Sequence, residues 1–288
     1  MQYLMLVSAA ILLSLDFAVN KYYQSFAGTG AKAAFLFNSL LGAFTALIFF
    51  AFNGFKLSFT PYSFAMASLM SLAVMCYNVI GFKILRSGSM ATYTLFLMSG
   101  GMMVPYIFGI FFLDEPFSVL RTVALLFILT GIFVSAPAGK RINTKILLMC
   151  ISVFFINGLT SIISKLHQTE AVYGAVNSCE FVILGAIFKC IISAVLFLLM
   201  NKKSPSGKTG VPLLYIGTSL ASALFGGLAF LLQLIGASNI PATLLYPFIT
   251  GGTIVFSSVT GILLFKEKIS KRTIFSVTLC FCGTLLFL

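Results

Sequence analysis

Charged residues are scarce in this sequence, and tryptophan is absent. Only 8% of the 288 residues are Asp, Glu, Lys or Arg, whereas 60% are hydrophobic. Soluble domains carry about 25% charged residues, so the composition excludes a water-soluble protein and indicates an integral membrane protein. Without tryptophan, an aromatic belt at the membrane surfaces has to consist of the 10 tyrosines and 32 phenylalanines.

Side chains that carry out chemistry are also few. The chain has one histidine, His167, and six acidic residues, which are scattered. A membrane-embedded enzyme would need acids, bases or metal ligands clustered within its spans, so we expect no enzymatic activity, no bound metal and no cofactor. The six cysteines lie in or at the ends of apolar runs, a placement typical of packing thiols rather than of disulfides.

The apolar runs define ten candidate membrane spans. A helix needs about 20 apolar residues to cross the hydrocarbon core, and the connections between the runs are too short for a soluble domain. The predicted spans are 3–23, 31–52, 61–83, 89–112, 117–137, 145–165, 178–200, 210–236, 240–264 and 270–288. The first run lacks a basic flank and is expected to be retained. Because a backbone in lipid must satisfy its hydrogen bonds internally, we predict an all-α integral membrane fold.

The net charge of +12 has a topological explanation. Fourteen basic residues follow odd-numbered spans: Lys21, Lys32, Lys83, Arg86, Lys140, Arg141, Lys145, Lys202, Lys203, Lys208, Lys266, Lys268, Lys271 and Arg272. Three follow even-numbered spans, namely Lys56, Arg121 and Lys165. Basic loops favour the cytoplasm. We therefore expect a multi-pass protein of the cell (inner or plasma) membrane with both termini outside the cytoplasm, and no nucleic-acid partner.

The two halves of the chain share small and charged residues at nearly constant spacing. Residues 109–118 and 261–270 have Gly, Glu and Ser at the same three positions, 152 residues apart. Further pairs, 143 to 152 residues apart, are Ser99-Gly100 with Gly251-Gly252, Gly131 with Gly283, the LGA of 41–43 with that of 184–186, and Lys21 with Lys165. Because each repeat has an odd number of spans, the two halves are expected to have opposite orientations in the membrane. We predict two inverted five-helix repeats, residues 1–140 and 141–288.

The segment YPFITGGTIVFSSVTGILLFKEKIS (246–270) resembles the third helix of the small multidrug resistance proteins. That pattern has a Tyr, a Thr-Gly pair, a Gly and a closing Glu, which are Tyr246, Thr250-Gly251, Gly261 and Glu267 here. Ten spans in two repeats resemble the EamA-type members of the drug/metabolite transporter superfamily. The resemblance implies a ten-helix secondary transporter that moves small solutes.

The resemblance extends to NGLTSIISK (157–165), which is similar to the first-helix pattern of the small multidrug proteins. In those proteins a membrane-embedded Glu, eight residues before the first-helix Lys, carries the coupling proton. The corresponding positions here are Leu13 and Asn157. The usual proton site is therefore missing from both halves.

Three ionisable residues within or near the spans, Asp16, Glu180 and Lys189, are candidates for functional roles. Lys189 and Asp16 are about eleven and thirteen residues into two spans that cross in the same direction, so they lie at similar depth. A charge there is costly unless it has a partner or a wet cavity. Asp16 and Lys189 are predicted to pair with each other, as a structural ion pair or beside the cavity, or to bind a zwitterionic or anionic substrate. Glu180, near the start of its span, is expected to be a solvated carboxylate or a group for gating or proton coupling.

Uncharged polar residues inside the spans exceed what a lipid-facing bundle needs. Each can serve packing or ligand binding, and together they indicate one central pocket. The predicted substrate-binding residues are Asp16, Asn20, Asn38, Tyr77, Asn78, Tyr93, Asn157, Ser161, Lys189, Gln233, Tyr246 and Thr250. The predicted coupling or gating residues are Asp16, Glu180 and Lys189. Glu115 and Glu267, at helix ends, are expected to cap or favour the positive start of the next helix rather than to bind substrate.

The sequence favours a secondary active transporter of a small metabolite or drug-like solute that works by alternating access. No ATP-binding motif is present, and export of amino-acid-like or other small metabolites is the favoured direction. Multidrug or cation efflux by proton antiport and a channel stay open as alternatives. The expected partners are the small-molecule substrate and the lipid bilayer. Two fused halves allow a monomer to function.

Overall fold

The computed structural model of the chain describes residues 2–28, 30–86, 90–135, 144–203, 212–266 and 270–287. Within these ranges the chain forms ten helices and no strand. The helices are α1 (Gln2–Ala27), α2 (Ala31–Phe52), α3 (Pro61–Arg86), α4 (Met90–Phe112), α5 (Val119–Ser135), α6 (Thr144–Thr169), α7 (Ser178–Lys203), α8 (Pro212–Asn239), α9 (Ala242–Phe265) and α10 (Lys271–Leu285).

Eight of these helices are long and apolar enough to cross a membrane. The other two are α5, a shorter apolar helix, and α10, which has 15 residues. Each helix overlaps one predicted span, so the all-α integral membrane fold expected from composition is confirmed. Glu267, Lys140, Arg141, Lys208 and Lys268, which the sequence interpretation used, lie outside the described residues.

Polar residues at the helix starts explain several boundaries. Thr60 accepts a hydrogen bond from the Ser63 amide in front of α3, whose first residue is Pro61. Ser118 accepts from the Arg121 amide at the start of α5, and Ser270 accepts from the Thr273 amide at the start of α10. These two serines are the repeated pair at spacing 152, so the repeated Ser is an N-cap in both halves.

The helices pack across the two halves of the sequence. Close pairs are α2 with α7, α4 with α6, α1 with α8 and α9, α3 with α6, and α5 with α10. One buried cluster combines residues of α1, α4 and α5 with residues of α8, α9 and α10. A second combines α2 and α3 with α6, α7 and α8. The hydrophobic interior is therefore shared between the halves.

Short connections make consecutive helices run in alternate directions, so the connections fall at two ends of the bundle. The end with the connections after α1, α3, α5, α7 and α9 is termed the odd-loop end, and the opposite end the even-loop end. Contacts agree with this assignment, since Lys21 lies over the Phe265 ring at one end and Lys165 contacts Ile240 at the other.

Gly42 marks the closest approach of α2 to α7. A Cβ atom at Gly42 would lie 2.7 Å from both the Ala186 carbonyl oxygen and the Cys190 amide nitrogen. Both contacts are to backbone atoms, which cannot rotate away. Small residues allow this kind of helix packing within a membrane.

We expect Gly42→Val to destabilise the protein, because overpacking of a tight contact costs about 1–3 kcal/mol. Gly217→Val is the matched control, since Gly217 lies on an exposed face of α8 and a Cβ atom added there would have no neighbouring atom within 4 Å. Thermal unfolding of both variants in detergent measures the difference in Tm. Equal Tm values for the two variants would contradict the proposed close contact.

Candidate functional site

A cavity of about 420 Å³ lies between the two halves of the chain. Its walls come from eight helices, α1 to α4 and α6 to α9. Most of the lining is apolar and includes Phe17, Met70 and Phe230. Small-molecule sites are typically clefts of about 300–1,000 Å³ with apolar walls and a few polar groups, so the cavity has the size and character of a solute-binding site.

Asp16 projects from α1 into the cavity wall next to α8. Its carboxylate accepts hydrogen bonds from the Ser222 hydroxyl and from Asn20 Nδ2, the latter at 3.0 Å. It lies against Gly226, where a Cβ atom would be 3.0 Å from the Asp16 carboxyl carbon. Asp16 is thus held in one orientation by a polar neighbour one turn along its own helix and by α8.

Lys189 lines the same cavity from α7. Asp16 lines this cavity as well, from α1. The described residues provide no hydrogen-bond acceptor and no direct ion-pair contact for its ammonium group, while the Asp16 carboxylate is bonded to Ser222 and Asn20. The two residues therefore present separate charges of opposite sign to one cavity.

Six further predicted residues also line this cavity: Tyr77, Asn157, Ser161, Gln233, Tyr246 and Thr250. Three of them join helices through backbone carbonyls. Asn157 donates to Leu97 at 2.7 Å, Ser161 donates to Gly101 at 3.3 Å, and the Tyr246 hydroxyl donates to Ser161 at 2.6 Å.

The polar ends of Tyr77, Gln233 and Thr250 have no hydrogen-bond partner in the described part of the chain. They line the cavity and can bond a ligand. Among the predicted residues of this cavity, Asn157, Ser161 and Tyr246 thus use hydrogen-bonding groups to join neighbouring helices. Tyr77, Gln233 and Thr250 keep theirs available.

The other four predicted residues, Asn20, Asn38, Asn78 and Tyr93, line a second pocket of about 200 Å³. This pocket lies between α1, α2, α3 and α4, toward the odd-loop end. The sequence predicted one shared pocket, but the predicted residues line two neighbouring pockets. Asn20 belongs to the second pocket and bonds Asp16 of the first, so it connects them.

Glu180 is buried, with 4% of its surface exposed, and is not a solvated carboxylate. It accepts hydrogen bonds from the amides of Ser58 and Asn177, at 2.8 and 3.2 Å, and its own amide donates to Asn177 Oδ1 at 2.9 Å. The exchange between Asn177 and Glu180 is a capping box at the start of α7. Glu180 does not line either pocket.

The sequence interpretation did not include Ser222 and Gly226, which hold the Asp16 carboxylate. Both lie on α8, four residues apart and therefore on one face of the helix. Small residues at this spacing indicate a face that another helix approaches closely. That signal was present in the sequence, but it does not say which side chain the face receives.

Glu115 and Lys165 meet the α8–α9 connection at the even-loop end. Glu115 accepts hydrogen bonds from the amides of Ala242 and Thr243, at 2.6 and 2.8 Å. From the sequence we expected Glu115 to interact with the start of the helix that follows it. Instead it caps α9, because the end of α4 packs beside the start of α9 rather than turning back on α5.

The ten helices, eight of which line a cavity that contains both Asp16 and Lys189, indicate a multi-pass membrane protein. The sequence profile of the EamA-like transporter family matches residues 144–288. The chain therefore belongs to the EamA-like transporter family, as its motifs had indicated, and this is consistent with the drug/metabolite transporter superfamily.

A solved structure, titled "Crystal structure of protein", has the same fold. It superposes with a TM-score of 0.76 at 16% sequence identity, over 99% of this chain and 95% of the other. No curated protein matches the sequence. The structural likeness concerns the arrangement of helices.

We expect Glu180→Ala to lower the free energy of unfolding by about 2 kcal/mol, because it removes two backbone hydrogen bonds to a buried charged group. Glu170→Ala is the matched control. Glu170 also accepts from two backbone amides, those of Val172 and Tyr173, which hold its pKa below the usual value, but it lies in the exposed α6–α7 connection.

Chemical denaturation of both variants measures the effect, and the control should change clearly less. An unchanged stability of Glu180→Ala together with an altered pH dependence of transport would contradict the capping role. It would instead make Glu180 a coupling residue.

Proposed function

We propose that this protein is a secondary active transporter that exports a small amino-acid-like metabolite by alternating access through the central cavity. The observation that carries the proposal concerns Lys189, which lines the same cavity as Asp16 and whose ammonium group has no hydrogen-bond acceptor within the described residues. A charged group inside a membrane is costly unless it is paired. A solute with a carboxylate would provide the missing partner.

The substrate that fits best carries both charges. Its carboxylate would bind Lys189 on α7, and its ammonium group would bind the Asp16 carboxylate on α1. Tyr77, Gln233 and Thr250 would bond further polar atoms, and the apolar wall would contact the rest of the solute. Asp16 and Lys189 would also be the groups whose charges change during coupling.

The pattern of helix pairs supports two inverted repeats, residues 1–140 and 141–288. In two five-helix repeats, α1 corresponds to α6, α2 to α7, α3 to α8, α4 to α9 and α5 to α10. Under this correspondence the pair α1–α8 is equivalent to α6–α3, and the pair α1–α9 is equivalent to α6–α4. All four are close pairs. The close pairs α2–α7, α4–α9 and α5–α10 each join two corresponding helices. Inverted repeats of transporters place the substrate site at the repeat interface, which is where this cavity lies.

The charge distribution and the second pocket support export as the direction of transport. The excess of basic residues favours the odd-loop end as the cytoplasmic end. The pocket with Asn20, Asn38, Asn78 and Tyr93 lies between the cavity and that end. A polar route from the cytoplasm to the cavity fits export.

A second candidate is the efflux of cationic solutes in exchange for protons, and the observation that favours it is the Asp16 carboxylate in the cavity wall. Lys189 opposes this candidate, because a like charge in the same cavity repels a cation. Amino-acid-like substrates satisfy both charges and are therefore preferred.

We expect Lys189→Met to remove the preference for a substrate carboxylate. A thermal-shift screen with amino acids, nucleosides and cationic drugs would first identify a ligand, because a compound at 100 times its Kd stabilises the folded state by about 2.7 kcal/mol. The ligand and its carboxamide derivative are then compared on the parent protein and on the variant. Amidation should weaken binding to the parent at least about tenfold and should leave binding to Lys189→Met nearly unchanged.

Lys32→Met, at the odd-loop end and outside the cavity, is the matched control and should behave as the parent does. Unchanged transport kinetics in folded Lys189→Met would refute the proposed role. Loss of the preference for an ammonium group in Asp16→Asn would independently support the two-charge arrangement.

A transporter and a channel predict different fluxes for the ligand from that screen. Purified protein in liposomes should show saturable uptake and counterflow, in which unlabelled solute inside accelerates the entry of labelled solute. A flux that rises linearly with concentration and lacks counterflow would identify a channel instead.

A further inference from the structure

The α8–α9 connection at the even-loop end is held from both sides by charged groups of other elements. Lys165 of α6, of which 6% is exposed, donates to the carbonyl oxygens of Ala237 and Ile240, each at 2.8 Å. Glu115, which follows α4, accepts from the amides of Ala242 and Thr243. Four backbone groups at the junction of α8 and α9 are thus bonded to two side chains.

The arrangement follows the electrostatics of helix ends. The last carbonyls of α8 and the first amides of α9 lack partners within their own helices and carry partial negative and positive charge. Lys165 and Glu115 bring the opposite charges to these groups. Bonds of this kind to charged groups are stronger than those between neutral groups.

Two further contacts fasten α9 at the same end. The Arg121 guanidinium donates to the Thr243 hydroxyl at 3.3 Å. Tyr246, one turn further along α9, donates to the Ser161 carbonyl oxygen in the cavity wall. The charged contacts at the connection are therefore linked through the first turn of α9 to the substrate cavity.

We propose that Lys165 and Glu115 form a latch that keeps the cavity closed at the even-loop end. This inference rests on the alternating-access function proposed above. Opening of this end requires the α8–α9 connection to separate from α6 and from the end of α4, and the four bonds to Lys165 and Glu115 then break. Their strength sets the share of molecules that are open at the even-loop end.

The test measures access to the cavity from each side of the membrane. Val74, which lines the cavity from α3, is replaced by Cys in a full-length chain whose six native cysteines are changed to alanine. Sealed vesicles of both orientations are treated with a membrane-impermeant maleimide, and the labelling rate is measured from either side. Both faces are probed, so the result does not depend on the assignment of the cytoplasmic side.

We expect Lys165→Met to raise the labelling rate from the even-loop side by about tenfold and to lower the rate from the odd-loop side, because the population shifts toward the open state. Glu115→Gln preserves size and one acceptor oxygen and should give a smaller rise. The double variant should rise less than the product of the two single effects, since both residues fasten the same connection.

Lys56→Met is the matched control, because Lys56 is an exposed lysine at the same end of the bundle. Its labelling rates should equal those of the parent. Unchanged rates in folded Lys165→Met and Glu115→Gln overturn the latch, and so does an equal rise from both sides, which would mean general loosening. If Lys165→Met does not fold, Glu115→Gln decides the question.

Counterflow in liposomes separates this inference from the proposed function. Counterflow that persists while Lys165→Met and Glu115→Gln leave access unchanged refutes only the latch. Absence of counterflow in the parent refutes alternating access and the latch with it.

Discussion

Polar groups inside a hydrocarbon layer need partners within the protein, and the rest of this structure depends on that constraint. The helices satisfy most of the backbone. At the junction of α8 and α9, backbone carbonyls and amides have no partner within a helix. Lys165 and Glu115 supply charged partners for them. Polar side chains in the interior follow the same rule, since Asn157 and Tyr246 donate to carbonyl oxygens of neighbouring helices.

Several polar side chains that lack a partner among the described residues line the cavity. Lys189, whose ammonium group has no acceptor among the described residues, lines the cavity, and so do Tyr77 and Gln233. Unpaired polar groups are costly unless water or a solute occupies the space. A transporter must release its substrate, so groups that bind it cannot be fully bonded to the protein. Membership in the EamA-like transporter family agrees with this distribution.

Much of the fold was predictable from local sequence. Long apolar runs located all ten helices, because hydrophobic length is a property of the chain itself. The repeated serines Ser118 and Ser270 were visible as a pattern, and the structure explains them as caps of α5 and α10. Glu115 belonged to the same pattern, but its partner was not predictable. Local sequence suggested the adjacent helix, whereas the carboxylate bonds α9, more than 120 residues away.

The sequence by itself determined that the chain enters a membrane, where its helices lie, and that ionisable residues stand within them. These properties depend on composition and on spacing along one helix. Tertiary structure decided which polar residues share a space, because helical periodicity gives the face of a side chain but not the helix opposite to it. Tyr77 and Asn78 are adjacent in sequence, yet one lines the cavity and the other the second pocket, since one residue of rotation points them at different neighbours.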